Sequence, residues 1–353
     1  MSSPRSPETL PAPNALLLVA VAAAILLAGS IAFSPRAGVL GGLVGFVFWS
    51  SAPLGAVTLA LIHETTGGRW GAASTPILRL GCVGALFLPI FFVVLLPGLH
   101  LIYPWVRGGA PAPDVARFLL NPPAFAACGL VALVVWAIIG LLLAGDRVNL
   151  LGAALALVFH GVAVSVVAVV WMLSLDPGFT NSAFGAQLAV QQIMLALALI
   201  AALMPERAIA LAKGDIGALL FATSLGALYL AFMTFVVKWY GDQPEDAGWY
   251  LARAHGLPFA LLVGALVFGA VIPIIGCAWE RVRLNALPLR AVGLSAIFGV
   301  FLHDLWLAGA DSLWVLASAL FGIAGMASLS LWFGSRLERR LGVASAAEAG
   351  TAR

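Results

Sequence analysis

The sequence has very little charge. Only 9% of its 353 residues are Asp, Glu, Lys or Arg, whereas 62% are hydrophobic and the mean hydropathy is +1.07. A soluble domain is about half apolar and needs far more polar surface than this. The composition therefore excludes a soluble cytoplasmic enzyme and a nucleic-acid-binding protein, and it predicts an integral membrane protein.

Cysteine and histidine are also scarce. The three cysteines, Cys82, Cys128 and Cys277, lie in apolar runs and form no CxxC pair. They cannot by themselves hold an iron–sulfur cluster or a zinc ion. A b-type haem needs two facing histidines at one depth, and among the five histidines only His100 and His303 fall at comparable predicted depths. We therefore expect this chain to bind no b-type haem, iron–sulfur cluster or zinc ion.

Long apolar runs, in contrast, are abundant. About 20 apolar residues cross the hydrocarbon core as a helix, and only helices or closed barrels satisfy their backbone there. We predict an all-α membrane protein with ten transmembrane helices in one domain, residues 14–333, between tails at 1–13 and 334–353. The ten runs are 14–33, 40–62, 77–101, 123–144, 150–175, 182–203, 217–239, 256–278, 289–307 and 313–333.

The basic residues are distributed unevenly. Ten crossings place both termini on one side of the membrane, and 13 of the 18 Lys and Arg residues fall on that side. Positive residues are retained in the cytoplasm, so we predict that both termini are cytoplasmic. The five basic residues on the opposite, outer side are Arg36, Arg107, Arg117, Lys238 and Arg253.

Few ionisable residues lie inside predicted helices, where charge is costly and often functional, and three of them, His160, His303 and Asp304, are the main candidates. His160, at mid-depth, is either a neutral imidazole bonded to a neighbouring hydroxyl or carbonyl, or a proton relay or ligand contact. His303 and Asp304 are adjacent, and adjacent helix positions point about 100° apart. We therefore expect that they cannot both face one partner. In the arrangement we expect, Asp304 points inward and His303 reaches the membrane interface. Asp304 is either a proton relay or a structural partner of Lys238 or Arg253.

The second run ends in the sequence HETTGG, residues 63–68. Two glycines after a helix predict a C-cap in which one residue is left-handed. His63 and Glu64 then lie at the membrane edge near Arg79. This group is the inner mouth of a proton path, an interface with a partner, or a solvated helix end.

Prolines occur inside three of the predicted helices, at Pro53, Pro89 and Pro273. Each removes a backbone hydrogen bond, which predicts a kink. Kinked helices without large soluble regions are also compatible with a ten-helix secondary transporter. We see no inverted repeat of the kind that transporters use, so transport is an alternative interpretation.

Three segments carry more specific motifs. They are FWSSAPLGAVTLALIHETTGGRWG (48–71), WMLSLDPGFTNSAFG (171–185) and YLAFMTFVVKWYGDQPEDAGWYLAR (229–253). Together they resemble the integral membrane subunits related to polysulfide reductase, the NrfD-like family. Within that family they are most similar to the second such subunit of alternative complex III, a quinol:cytochrome c oxidoreductase.

The resemblance implies two four-helix bundles flanked by the terminal helices, in the bacterial inner membrane. It implies no prosthetic group in this chain, and lipids around it. The implied partners are a homologous quinone-binding membrane subunit, an iron–sulfur subunit and multihaem cytochrome c subunits, which carry the iron–sulfur clusters and haem c. This chain would contribute a quinone site, a proton path or a docking surface to quinol oxidation.

Two groups of residues are candidates for these roles. The proton-path or quinone-site candidates are His63, Glu64, Arg79, His160, Asp176, Lys238, His303 and Asp304. The candidates for docking partners are Trp239, Tyr240, Asp242, Glu245, Asp246 and Trp249. The chain departs from the family in having Val170 in place of an acid, and Met233 and Thr234 in place of Ser-Gln. The missing acid favours a third interpretation, a purely structural scaffold.

Overall fold

The chain folds into helices. The computed structural model describes residues 13–108, 118–176, 178–241 and 244–341. Within these ranges ten helices are long and apolar enough to cross a membrane, which confirms the predicted fold class. They are α1 (Asn14–Phe33), α2 (Pro35–Thr66), α3 (Arg69–Ile102), α4 (Pro122–Ala144), α5 (Leu150–Leu175), α6 (Phe184–Leu203), α7 (Asp215–Gly241), α8 (Gly256–Ala278), α9 (Ala286–Leu307) and α10 (Leu313–Gly334).

The ten helices pack as two bundles. Helices α2 to α5 form one four-helix bundle and α6 to α9 form the second, and α2 and α5 both pack against α6 where the bundles meet. Helices α1 and α10 pack against each other and against α2. Because the number of candidate spans is even, the start of α1 and the end of α10 lie on one face. We call the opposite face, where α5, α7 and α9 end, the distal face.

Helix α2 lies at the centre of the molecule and approaches its neighbours through glycines. A Cβ at Gly41 would meet the Val315 carbonyl oxygen of α10, and a Cβ at Gly55 would overlap the Gln192 carbonyl oxygen of α6. Small residues let membrane helices pack backbone against backbone. This packing explains why α2 is the most deeply buried of the ten spans.

The turn between α2 and α3 consists of two glycines. Gly67 has φ 69° and ψ −155°, and Gly68 has φ 112° and ψ 153°. Positive φ was predicted here, but both residues lie in a region that essentially only glycine occupies, and not in the left-handed helical region. As a result α3 begins at Arg69, eight residues earlier than the apolar run predicts.

The internal prolines act differently in the three helices. Helix α2 continues through Pro53 as one α-helix. Helix α3 tightens into a 3₁₀ turn at Ala85–Phe87, just before Pro89. Helix α8 widens into a π-helical turn at Val267–Val271, just before Pro273. Only the second and third prolines therefore coincide with a break in regular α-helix.

Candidate functional site

A cavity of about 400 Å³ lies inside the second bundle, between α6, α7, α8 and α9. Its distal end is closed by residues 178–183 and by the short helix Pro244–Leu251, which we call the rim helix. Its walls are mainly apolar and aromatic, with a few polar side chains. Cavities of this size and character are typical of sites for small organic ligands.

The polar side chains of one wall form a continuous hydrogen-bonded array. His303 of α9 lies between two glutamines of α6: its Nε2 is 3.2 Å from Gln187 Nε2, and its Nδ1 is 3.0 Å from Gln191 Oε1. Gln191 Nε2 then donates to Asp304 Oδ1 at 2.7 Å. Asp304 is 1% exposed, and its Oδ2 has no partner among the described residues. We call these four side chains the α6–α9 array.

The array corrects two of the sequence expectations. His303 and Asp304 do share a partner, because the amide of Gln191 reaches His303 with its oxygen and Asp304 with its nitrogen. The angle between adjacent positions does not prevent this, since the long glutamine side chain lies between them. Asp304 does face inward, as expected, but His303 lines the cavity and not the membrane interface.

The roof of the cavity is a stack of aromatic rings and cations. Phe179 and Trp249 stack with their centroids 4.0 Å apart, and the Arg253 guanidinium lies 3.9 Å from the Trp249 ring. Lys238 lies 5.3 Å from the Phe179 ring on the other side. Cations are attracted to the faces of aromatic rings. The stack therefore fixes the rim helix to α7 and to the segment that follows α5.

One ion pair and one hydrogen bond complete the roof. Arg253 Nη1 lies 3.9 Å from Asp176 Oδ2, and Lys238 donates to the Thr180 hydroxyl at 2.9 Å. Burial lowers the pKa of Arg253, and the Asp176 carboxylate raises it. Arginine nevertheless stays charged in proteins.

Asp304 is not paired with either of these cations, because it binds Gln191 instead. The alternative in which Asp304 is a structural partner of Lys238 or Arg253 is wrong.

The backbone of α8 is displaced where it borders the cavity. Gly269 lies in the π-helical turn and faces Gly299 of α9, and both glycines line the cavity. A Cβ at Gly299 would overlap the backbone of Gly269. π-helical turns are rare and occur frequently at functional sites. The turn and the two glycines let α8 and α9 meet backbone to backbone below His303.

Three polar atoms of cavity-lining side chains have no hydrogen-bond partner among the described residues: Ser224 Oγ, Arg253 Nε and Trp306 Nε1. Ser224 of α7 is fully buried, and its hydroxyl makes no hydrogen bond among the described residues. Buried hydroxyls are usually hydrogen-bonded. Thr234, one of the two positions where the chain departs from the Ser-Gln of the family, also lines the cavity and accepts from Asn181 Nδ2 at 3.3 Å. Ser224 is thus a polar contact point for a ligand.

His160 lies outside this cavity, in the first bundle. Trp136 Nε1 donates to its Nδ1 at 3.2 Å, and its Nε2 is 3.2 Å from the Thr58 hydroxyl oxygen. The Thr58 hydroxyl itself donates to the Leu54 carbonyl at 2.8 Å, so its oxygen is free to accept. These contacts match a neutral imidazole protonated at Nε2, which is the structural alternative considered above.

The cytoplasmic-end candidates are separated from one another. His63 packs against Trp70, whereas Glu64 is exposed. Arg79 forms a two-oxygen contact with Asp146 at 2.7 and 2.6 Å. Because α3 begins at Arg69, Arg79 lies almost three turns along it, away from the helix start where it was expected. The structure therefore does not join these three residues into one site.

The docking candidates have different environments. Trp239 and Tyr240 are 73% and 84% exposed at the end of α7. Trp249 is only 7% exposed, so its expected role in docking is wrong: its ring is part of the cavity roof. Asp242 lies outside the described residues, as do the side chains of Glu245 and Asp246.

Three functional candidates were missed from the sequence. Gln187 and Gln191 lie four residues apart in a strongly apolar run, a spacing that places both amides on one helix face. That spacing was the available signal for a polar face inside the membrane. Ser224 gave no signal, because single serines are common in membrane helices and only the fold shows what they face.

Comparison with known proteins adds no family to these observations. None of the known protein-family models matches the chain, and no curated protein matches it in sequence. The resemblance to the NrfD-like subunits thus rests on the three motifs given above. What is established is a multi-pass membrane protein with ten candidate spans.

Proposed function

We propose that this chain is a quinol-binding membrane subunit of a quinol:electron-acceptor oxidoreductase related to alternative complex III. The observation that carries the proposal is the cavity of the second bundle, with His303 in its wall. Quinone sites combine an apolar slot with one or two groups that bond the quinone oxygens. Histidine is suited to this because it both forms the bond and exchanges a proton.

The distribution of polarity in the cavity supports an amphipathic, flat ligand. Trp249 and Trp306 supply aromatic surface at the distal end, near the α6–α9 array. Ser224 supplies a further hydroxyl on α7, and Asn181, Thr234 and Arg253 are the other polar residues of a lining that is otherwise mainly apolar and aromatic. A ring that carries two oxygens and an apolar substituent matches this pattern better than a polar metabolite does.

The side of the cavity that faces the bilayer supports a ligand that arrives through the lipid. Helix α7 packs against the second half of α8 and hardly contacts its first half, Gly256–Leu266. Phe232 of α7 and Phe259 of α8 both line the cavity, and they are 58% and 50% exposed. They flank an opening between the two helices. An isoprenoid tail leaves through this opening while the ring stays inside.

The chemistry that follows binding is shared with partners. Oxidation of a quinol releases two electrons and two protons. We propose that the electrons pass to the iron–sulfur and multihaem cytochrome c subunits that the sequence resemblance implies, and that this chain holds the ring and accepts its hydroxyl hydrogen bond. The exposed Trp239 and Tyr240 at the distal face are the docking residues we assign to those partners.

The proposal is tested by calorimetric titration of a short-tailed naphthoquinol into the full chain in lipid nanodiscs. We expect saturable binding, and we expect His303→Leu to weaken it by about tenfold, the loss of one hydrogen bond to a buried group. His100→Leu is the matched control, since His100 is an exposed histidine of α3 that contacts the Pro97 carbonyl and does not line the cavity. It should bind like the parent chain.

Two results would count against the proposal. A folded chain that binds no quinol would favour the scaffold interpretation. Binding that is equally weakened by His100→Leu and His303→Leu would place the ligand outside the cavity. Transport is distinguished separately, because a transporter in sealed vesicles would move a solute in the absence of partner subunits.

A further inference from the structure

The four side chains of the α6–α9 array alternate between two helices. In order they are Gln187 (α6), His303 (α9), Gln191 (α6) and Asp304 (α9), and three hydrogen bonds of 3.2, 3.0 and 2.7 Å join them. Gln187, His303 and Gln191 line the cavity, and Asp304 is buried behind them. The array thus connects a buried carboxyl group to the ligand site.

The placement of the Gln191 amide sets the direction of every hydrogen bond in the array. Its nitrogen donates to Asp304 Oδ1, an oxygen that accepts both in a carboxylate and in a carboxyl group that carries its hydrogen on Oδ2. The amide oxygen of Gln191 therefore faces His303, and this oxygen only accepts. His303 Nδ1 must then carry the hydrogen. Because a neutral imidazole has one N–H, Nε2 is left with a lone pair, and Gln187 donates to it.

The chemical consequence concerns the redox state of the ligand, and it rests on the proposed function. We propose that His303 Nε2 accepts a hydrogen bond from a ligand hydroxyl, so that the cavity binds the reduced quinol in preference to the oxidised quinone. The hydroxyl of a quinol takes the place of the Gln187 amide at Nε2. The carbonyl oxygen of a quinone cannot take that place. It only accepts hydrogen bonds, so its lone pair would face the lone pair of Nε2.

The size of the preference follows from one hydrogen bond. With a quinone bound, the Gln187 amide is the donor for both His303 Nε2 and the quinone oxygen, so one of the two acceptors is left unsatisfied, whereas a quinol brings its own donor. Leaving one acceptor unsatisfied has a cost that corresponds to about a tenfold change in affinity. A site built to bond a hydroxyl rejects the analogue that lacks it, because the polar group of the site is then unpaired. We therefore expect the dissociation constant of the quinol to be about tenfold lower than that of the quinone.

The direct test is an anaerobic titration of both redox forms of one short-tailed naphthoquinone into the full chain in nanodiscs. The readout is the ratio of the two dissociation constants, which a general loss of stability does not change. Gln191→Leu removes the acceptor of the Nδ1 hydrogen, so the ratio should fall to near one while both forms still bind. Gln192→Leu is the matched control, because this adjacent glutamine does not line the cavity, and it should keep the parent ratio.

A spectroscopic measurement reads the parent chain directly and needs one variant, His303→Asn, only for assignment. Nitrogen-15 NMR of the parent chain with labelled histidine reports which ring nitrogen carries the hydrogen, and His303→Asn identifies the signal of His303. We expect protonation at Nδ1. Protonation at Nε2 would overturn the inference.

The outcomes for the two proposals are distinct. Equal affinities for the two redox forms, or tighter binding of the quinone, would overturn the redox preference and leave the quinone site in place. Absence of binding of either form to the folded chain would instead overturn the proposed function.

Discussion

At the scale of single residues, two buried histidines differ in what surrounds them. His160 is enclosed by protein groups: Trp136 donates to Nδ1, and Thr58 lies within hydrogen-bond distance of Nε2. His303 instead has one nitrogen turned towards a cavity and shared with Gln187 alone. Only the second arrangement leaves an atom that a ligand can reach. We therefore assign His160 to the structure and His303 to the ligand site.

This assignment predicts a measurable coupling at His160. His160→Leu leaves the indole N–H of Trp136 buried without an acceptor, which should lower the free energy of unfolding by about 1–3 kcal/mol. Trp136→Phe removes the same donor. In a double-mutant cycle, measured by thermal unfolding in detergent, the double variant should therefore be more stable than the sum of the single effects. Strict additivity would show that no hydrogen bond joins the two rings.

The residue scale is also where sequence reasoning was weakest. His303 and Asp304 stood out because ionisable residues are rare in apolar runs. Their common partner, Gln191, did not stand out, because it is neutral and its contacts depend on how closely α6 and α9 approach. Trp249 was assigned to docking on its position near a helix end, whereas its burial depends on the stack with Phe179 and Arg253. Side-chain partners across helices are tertiary information.

At the scale of helices, the sequence predicted which segments form helices far better than it predicted where α3 begins or where the backbone of α8 is distorted. All ten apolar runs correspond to helices, because length and hydropathy are local properties. The start of α3 and the π-helical turn of α8 were not predicted. The first depends on two glycines that close a turn within the polar segment, and the second on a register shift that sequence periodicity does not record.

The crossing of α8 and α9 gives a prediction at this scale. Gly299→Ala should force the two helices apart, because its Cβ would overlap the backbone of Gly269. Overpacking of this kind costs about 1–3 kcal/mol. We expect a lower thermal midpoint of the full chain in detergent and weaker binding of naphthoquinol, since both glycines line the cavity.

Alanine variants of two other glycines provide comparisons for Gly299→Ala. Gly269→Ala should be milder than Gly299→Ala, because the nearest atom to its Cβ is 3.3 Å away. Gly161→Ala is the matched control on α5, where a Cβ meets nothing within 4 Å, and alanine should be neutral or slightly stabilising in that helix. If Gly299→Ala behaved like Gly161→Ala, the close crossing of α8 and α9 would be incorrect.

At the scale of the whole molecule, the charge distribution and the position of the cavity give one orientation. The array lies in the distal half of the bundle, because His303 and Asp304 are within four residues of the end of α9 at Leu307. Most basic residues of the sequence are predicted to lie on the opposite face, where α1 begins and α10 ends. If positive residues stay in the cytoplasm, a quinol bound at His303 releases its protons towards the outside.

This orientation can be measured with reporter fusions to the full chain. A green fluorescent protein after Arg353 should fluoresce, because it folds in the cytoplasm, and alkaline phosphatase at that site should be inactive. The same phosphatase inserted between Asp311 and Ser312, in the segment that joins α9 to α10, should be active, because this segment lies on the distal face. Phosphatase activity at both sites would show that α10, the only described span between them, does not cross the membrane. Fluorescence at 311–312 with phosphatase activity after Arg353 would reverse the orientation and direct the protons into the cytoplasm.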